Sequence, residues 1–358
     1  MTTRRGFIAS LLAASTLPKL SWADAGDPAY LGAARDASGA YALIGLGPGG
    51  DRRFRLPLPD RGHAAAAHPT APEAVAFARR PGTFALVIDC AAGRIAHRLE
   101  APDGRHFYGH GAFIAEGTIL CTTENEIETG RGKVGLWSRS EGYARIGEID
   151  TGGIGPHEIL ALDGDVLAVA NGGIRTHPDS GREKLNIDTM QPSLVYLDPN
   201  GGLLEKVELD TDLSRNSIRH IAAAPDGTVA FAMQWQGDEM TPVPLLGLHK
   251  RGEAPRLLEA DLGEQMAMKG YAGSVAMSAD GGFAAITSPR GGRIHRFDTD
   301  TGACTAFRRA DVCGIATAPE GFTATDGRGG VLRLGTNLEP LAAEPDFAWD
   351  NHLVRIGA

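Results

Sequence analysis

The chain has 358 residues, 48 of them glycine and 21 proline, with 42% hydrophobic residues and a net charge of −9. Apolar runs recur along its whole length, which excludes a disordered chain. The acidic balance, with no Lys/Arg cluster after the N-terminus, argues against a nucleic-acid-binding surface.

At the start, Thr3-Arg4-Arg5-Gly6-Phe7-Ile8 reads as a twin-arginine transport signal. Mildly apolar residues follow from Ile8 to Leu17, then small residues at Ala23-Asp24-Ala25 that suit signal peptidase. Residues 1–25 are therefore expected to be a cleaved signal and 26–358 a single periplasmic domain. About a dozen mildly apolar residues are too few to span a bilayer, so no stable membrane insertion is expected after cleavage. The twin-arginine route carries folded cargo, which hints at a metal or cofactor acquired before export. Cys90, Cys121, Cys304 and Cys313 show no metal-binding spacing. They read as buried thiols, with Cys304 and Cys313 the pair expected on neighbouring strands.

Past the signal, short strand-like segments alternate with Gly-rich turns. Tyr30–Arg35, Tyr41–Leu46 and Arg53–Leu58 give three strands. From His63 the pattern becomes cyclic, with Gly62–Pro69, Ala74–Arg79, Thr83–Cys90 and Arg94–Leu99 as the first four. The second cycle runs through Gly111–Ala115, Thr118–Thr123, Lys133–Ser138 and Ala144–Ile149. Acidic turns recur at equivalent places: Leu162-Asp163-Gly164, Pro225-Asp226-Gly227, Ala279-Asp280-Gly281 and Pro319-Glu320-Gly321. Four strands per unit, repeated radially, predict an all-β protein, a β-propeller. Starts near 63, 110, 157, 220, 274 and 314 give six complete blades. The C-terminal strand Phe347–Ile356 and the three N-terminal strands make a seventh, closed by both chain ends without an open edge.

His63, His110 and His157 stand forty-seven residues apart, and His220 and His352 continue the series at longer and shorter intervals. Ser274 and Gly314 interrupt it. These positions open the inner strands, so the rings should gather at the channel mouth. The longest polar loops should lie on the same face: Thr123–Gly132, Asn171–Asn186, Gln234–Asp238 and Ser288–Gly291. Neutral imidazoles with nearby carboxylates suit a transition metal. His63, His110, His157, His220 and His352 are the candidate ligands, with His177 reaching in from its loop. Glu124, Glu126, Glu128 or Glu158 would add oxygen ligands or orient the rings. Glu126, Glu128, Arg131, Arg175, Arg182, Arg219 and Arg290, with Lys184, form a candidate cofactor-binding set on that face. Either the cations form salt bridges with the Glu-rich loop, or their guanidinium forks hold an anionic ligand. His97, His249 and His295 fall on outer strands and read as surface residues. No hydrolase elbow, zinc-protease, haem or phosphate-loop motif is present.

Gly155-Pro156-His157-Glu158, Asn171-Gly172-Gly173-Ile174, Thr176–Arg182, Ser217–His220, Thr287–Gly291, Asp311–Gly314 and Trp349–His352 together resemble an exported bacterial family, domain-of-unknown-function family 1513. The resemblance covers the mature chain and brings no assigned activity. It implies a twin-arginine substrate associated with imelysin-like, periplasmic metal-uptake proteins, with iron or copper as the ion. The arrangement is also similar in geometry to the propeller of nitrous oxide reductase, where channel histidines hold copper. The expectation is a monomeric periplasmic propeller that binds a transition metal and acts in metal handling beside uptake proteins. Two alternatives stay open. One is a metal-dependent oxidoreductase or hydrolase at the same face. The other is a metal-free interaction scaffold, since in WD-type propellers a Gly-His dipeptide ties strands together; this chain lacks the Trp-Asp partner dipeptide at the third strand's end.

Overall fold

The computed structural model describes residues 20–79, 83–181 and 183–357. The twin-arginine pair, the apolar segment after it and Arg182 lie outside the described residues. Among those described run seven four-stranded antiparallel sheets, one per blade. Blade 1 is Gly62–Ala67, Glu73–Ala78, Ala85–Asp89 and Arg94–Leu99. Blades 2 to 6 begin with inner strands Arg105–Ile114, Pro156–Leu162, Asn216–Ala223, Ser274–Met277 and Val312–Thr317. Each inner strand packs beside the next around the channel. Blade 7 is mixed in sequence: Phe347–Arg355 pairs antiparallel with Tyr30–Asp36, which continues into Tyr41–Leu46 and Arg52–Leu58. The ring is thus closed by main-chain hydrogen bonds between the two ends of the chain, as expected from the leftover strands.

Strand formation follows from burial on both faces. In Glu73–Ala78, Ala74, Ala76 and Ala78 face blade 7, while Val75 and Phe77 face blade 2. This period of two is the strand repeat, and both sets are apolar because a blade is covered on both sides. Every neighbouring pair of blades encloses one such cluster. Phe77, Phe231 and Phe297 are fully buried in them. Removing one of these rings would cost about 3–5 kcal/mol. The turns are made by glycine where the backbone is left-handed, as at Gly227 (φ 83°) and Gly281 (φ 76°). One short α-helix, Leu262–Ala267, joins blades 4 and 5.

Three local features differ from expectation. The inner strand of blade 2 starts at Arg105, earlier than the Gly-His dipeptide indicates, because residues 105–107 pair with Glu124–Glu126. His249 and His295 are buried, not on the surface. They lie on third strands, which neighbouring blades still cover; His249 Nδ1 meets Tyr196 Oη at 2.8 Å, and His295 Nε2 lies 3.5 Å from Glu264. His97, on a fourth strand, is exposed. The four cysteines are free, and Cys304 and Cys313 sit in different blades. At the N-terminal end, Trp22 is buried between blades 7 and 1, and its indole N–H donates to the His68 carbonyl at 2.9 Å. Cleavage after Ala25 would remove that contact.

Candidate metal centre

Inner strands turn an unpaired edge, not a face, toward the channel, so their side chains ordinarily point between blades. A β-bulge changes this by rotating residues out of the pleat. Six of the seven inner strands carry such an irregularity at the histidine position or its equivalent. His157 is the extra residue between Pro156 and Glu158 in pairing. His63 and Ala64 together oppose Phe77, and Tyr108, Gly109 and His110 oppose Thr123. In blade 4 the extra residue is Arg219, with His220 following it. Asp350, Asn351 and His352 oppose Ala33. Blade 5, which carries Ser274, runs without a shift. The bulges aim five rings at the axis.

The rings meet. His63 lies 4.6 Å from His352 and 4.9 Å from His110, centroid to centroid. His157 lies 5.0 Å from His110 and 4.7 Å from His220, and His220 reaches across to His352 at 4.7 Å. All five are nearly inaccessible. Gly109, with φ 99°, permits the approach: a Cβ there would stand 2.7 Å from His63 Cδ2. Two triads have ligand-capable atoms within 4.8 Å of one another, His63/His110/His157 and His110/His220/His352. Three nitrogens at that limit lie roughly 0.7 Å outside the bond length of about 2.1 Å for a planar metal–imidazole centre. Ring rotation covers that difference.

Four buried ring nitrogens in this cluster have no hydrogen-bond partner: Nδ1 of His63 and His157, and Nε2 of His110 and His352. A buried polar atom left unpaired costs about 1–3 kcal/mol. Glu158 organises two of the rings. Its Oε2 accepts from His220 Nδ1 at 3.0 Å and from the Ile221 N–H at 3.1 Å, and its Oε1 faces His110 Nδ1 at 3.5 Å. With the protons of His110 and His220 held on Nδ1, their Nε2 lone pairs are free for a cation. Burial pushes the imidazoles of His63, His157, His220 and His352 below their ordinary pKa. Neighbouring rings add to this, as do Arg79 beside His63 and His352 and Arg219 beside His157 and His220. Burial opposes ionisation of Glu158, but His110 and His220 outweigh it and hold its carboxyl well below the usual range. The result is five converging imidazoles around one carboxylate, a donor set suited to copper, iron, zinc or nickel.

The other candidates are placed differently. Glu126 accepts from Thr129, from Arg105 at 3.2 Å and from Arg131 at 3.1 Å. Glu124 is fully buried inside blade 2, where it accepts from Arg145 at 2.7 Å and Thr122 at 2.8 Å. Arg175 donates to the Glu128 carbonyl. His177 Nδ1 accepts from the Asp179 N–H at 3.2 Å, and neither triad includes it. Arg290 stacks on Tyr271 at 4.4 Å, and Lys184 donates to Gln236 at 2.6 Å. Burial, then the proximity of Arg219 and Arg290, lowers the Lys184 pKa, so these three cations share the mouth. Sequence reasoning missed Asp350, which accepts from Arg61 and Arg79, both at 2.6 Å. The signal for it was its place two residues before His352, in step with Arg61 two before His63.

The family described as "Protein of unknown function (DUF1513)" matches residues 56–356. No curated protein matches the sequence. Solved structures share the architecture at low identity. Hydrazine synthase of Kuenenia stuttgartiensis is 12% identical with a TM-score of 0.63, covering 87% of this chain and 95% of that one. The WD40 repeats of RRP9 are 12% identical with a TM-score of 0.55, covering 93% and 92%. A chain of the mitotic checkpoint complex is 11% identical with a TM-score of 0.54, covering 79% and 80%. At these identities the likeness concerns the fold alone.

Proposed function

The chain belongs to the DUF1513 family, and from its site we propose that it is a periplasmic propeller holding one transition-metal ion, copper or iron, on its channel histidines as an accessory of metal uptake or handling. The observation that carries this reading is the convergence of five buried imidazoles with four unpartnered ring nitrogens. A purely structural role would leave those nitrogens hydrogen-bonded. Export rests on the twin-arginine sequence at residues 3–8. One ion per chain follows from His110: it belongs to both triads and, with Nδ1 facing Glu158, has only Nε2 to offer.

Metal analysis of protein purified from its native periplasm tests the reading. It should return one equivalent of copper or iron, and His110→Ala and His157→Ala should each lose most of it. His177→Ala should lose none. Absence of metal from the native protein, or full retention in both cluster variants, would overturn the proposal.

A further inference from the structure

The five histidines come from five consecutive blades: 7, 1, 2, 3 and 4. The remaining arc, blades 5 and 6, presents Ser274 and Gly314 at the equivalent positions, and neither offers a ring. Nothing larger than glycine fits at 314, because a Cβ there would lie 2.7 Å from the Leu353 backbone nitrogen. Along the channel axis, on one side of the histidine layer, lies a cavity of about 280 Å³ to which all seven blades contribute, with His110, His220, His352, Glu158, Ser274 and Ile315 among its lining. His63 and His157 do not line it. The cluster therefore has two tiers: His63 and His157 toward the mouth, and the His110/His220/His352 triad facing the cavity.

Structural metal sites are closed by protein ligands, whereas reactive ones keep three protein ligands and an open position. The cavity-facing triad has that second form. Its chamber is several times the roughly 30 Å³ share of one water molecule and falls just under the roughly 300 Å³ at which pockets for drug-sized ligands begin. A divalent ion held by uncharged ring lone pairs beside the single Glu158 carboxylate keeps a net positive charge, which favours an anionic ligand. Alanines along the inner strand of blade 1, Ala65 and Ala67, with Ala112 of blade 2, keep the chamber free of bulk.

We propose that the metal keeps one coordination position open toward this axial cavity and there takes a small inorganic anion of two or three heavy atoms, delivered through it. This rests on the metal reading above and extends it from storage of an ion to exogenous-ligand chemistry at that ion. It makes the site one at which a small substrate reaches the metal.

The full mature chain loaded with Cu(II) and titrated with azide provides the test. A saturable azide-to-copper charge-transfer band is expected in the native protein. Ser274→Leu and Ala112→Leu, which intrude from opposite walls without touching a ligand atom, should keep one copper per chain and weaken azide binding at least about tenfold, or 1.4 kcal/mol. Two plugs guard against one of them misfolding; circular dichroism and copper content identify such a variant. Copper bound with no azide band would overturn this inference and leave the metal reading intact. An azide band untouched by both folded plugs would overturn the cavity as the route. Failure to bind copper or iron at all would overturn the metal reading itself.

Discussion

Replacing Glu158 by glutamine separates a metal centre from a merely packed histidine cluster. The carboxylate accepts from His220 Nδ1 and the Ile221 N–H through one oxygen and faces His110 Nδ1 with the other. A glutamine of the same shape has one oxygen and one NH2 group. If its oxygen stays with His220 and Ile221, the amide points N–H at the N–H of His110. His110 then relieves the clash by moving its proton to Nε2, the nitrogen both triads need. Loss of a carboxylate that orients a ligand typically weakens metal affinity 10–100-fold, or about 1.4–2.7 kcal/mol. Loss of a charge-assisted hydrogen bond also weakens the fold by about 1.5–3 kcal/mol. Competition against a chelator of known affinity measures the first effect, and urea unfolding of the metal-free protein measures the second. Glu158→Gln should lower affinity at least tenfold while His110→Ala lowers it further. A destabilised Glu158→Gln that binds metal within threefold of the native protein would refute the tautomer argument, leaving Glu158 as a packing residue.

Three further outcomes are expected. The metal-free protein should lose stability on acidification below about pH 6.5: the unfolded histidines take up protons there while His63, His157, His220 and His352, whose folded pKa values lie lower, remain neutral. Each such ring costs about 1.4 kcal/mol per pH unit until its folded pKa is reached; a urea midpoint unchanged between about pH 7 and pH 5 contradicts this. Gly109→Ala, which forces a methyl against His63 at a positive φ, should weaken metal binding about tenfold. Gly39→Ala, with φ 89° and nothing within 4 Å, should leave affinity unchanged in the same chelator assay. A chain beginning at Gly26 should be less stable than one beginning at Leu20 by about 3 kcal/mol, because it lacks the buried Trp22 and its bond to His68; equal urea midpoints would show that Trp22 does not anchor blade 1 to blade 7.

The repeat was legible because strand periodicity and turn chemistry are local. Acidic-Gly turns recur in several blades and apolar strand residues along the chain, and three plus one leftover strands pointed directly to the shared seventh sheet. The five converging histidines were legible for the same reason, since each stands on an inner strand. Their partners were less so. Glu124, Glu126, Glu128 and Glu158 look equivalent along the chain, yet only Glu158 follows a bulge that carries it to the channel. Glu124 and Glu126 belong to a blade whose other strands carry Arg145, Arg105 and Arg131, which reach them first. His249 and His295 show the opposite error. Sequence position marked them as outer, but a third strand is still covered on both faces, and a buried ring there needs only one or two polar neighbours. Which polar residues meet is decided by register between strands and between blades, and that register is not local.

The departures from symmetry lie in what each inner strand presents to the channel. Seven equivalent inner strands would place seven equivalent side chains on the axis, and the channel has no room for seven rings spaced about as closely as these. Five rings already stand within 4.6–6.0 Å of their neighbours. Ser274 and Gly314 therefore do more than interrupt a series. They leave an arc of the layer without a ring, while the bulge at Val312–Ile315 is retained even though no ring is presented there. In blade 6 the bulge is kept and only the side chain is missing, whereas blade 5 lacks both the ring and the bulge. Restoring a ring at Ser274, where no bulge aims it, should accordingly fail to add a ligand. If Ser274→His instead raised metal affinity or changed the coordination spectrum, the role assigned to the bulges would be wrong.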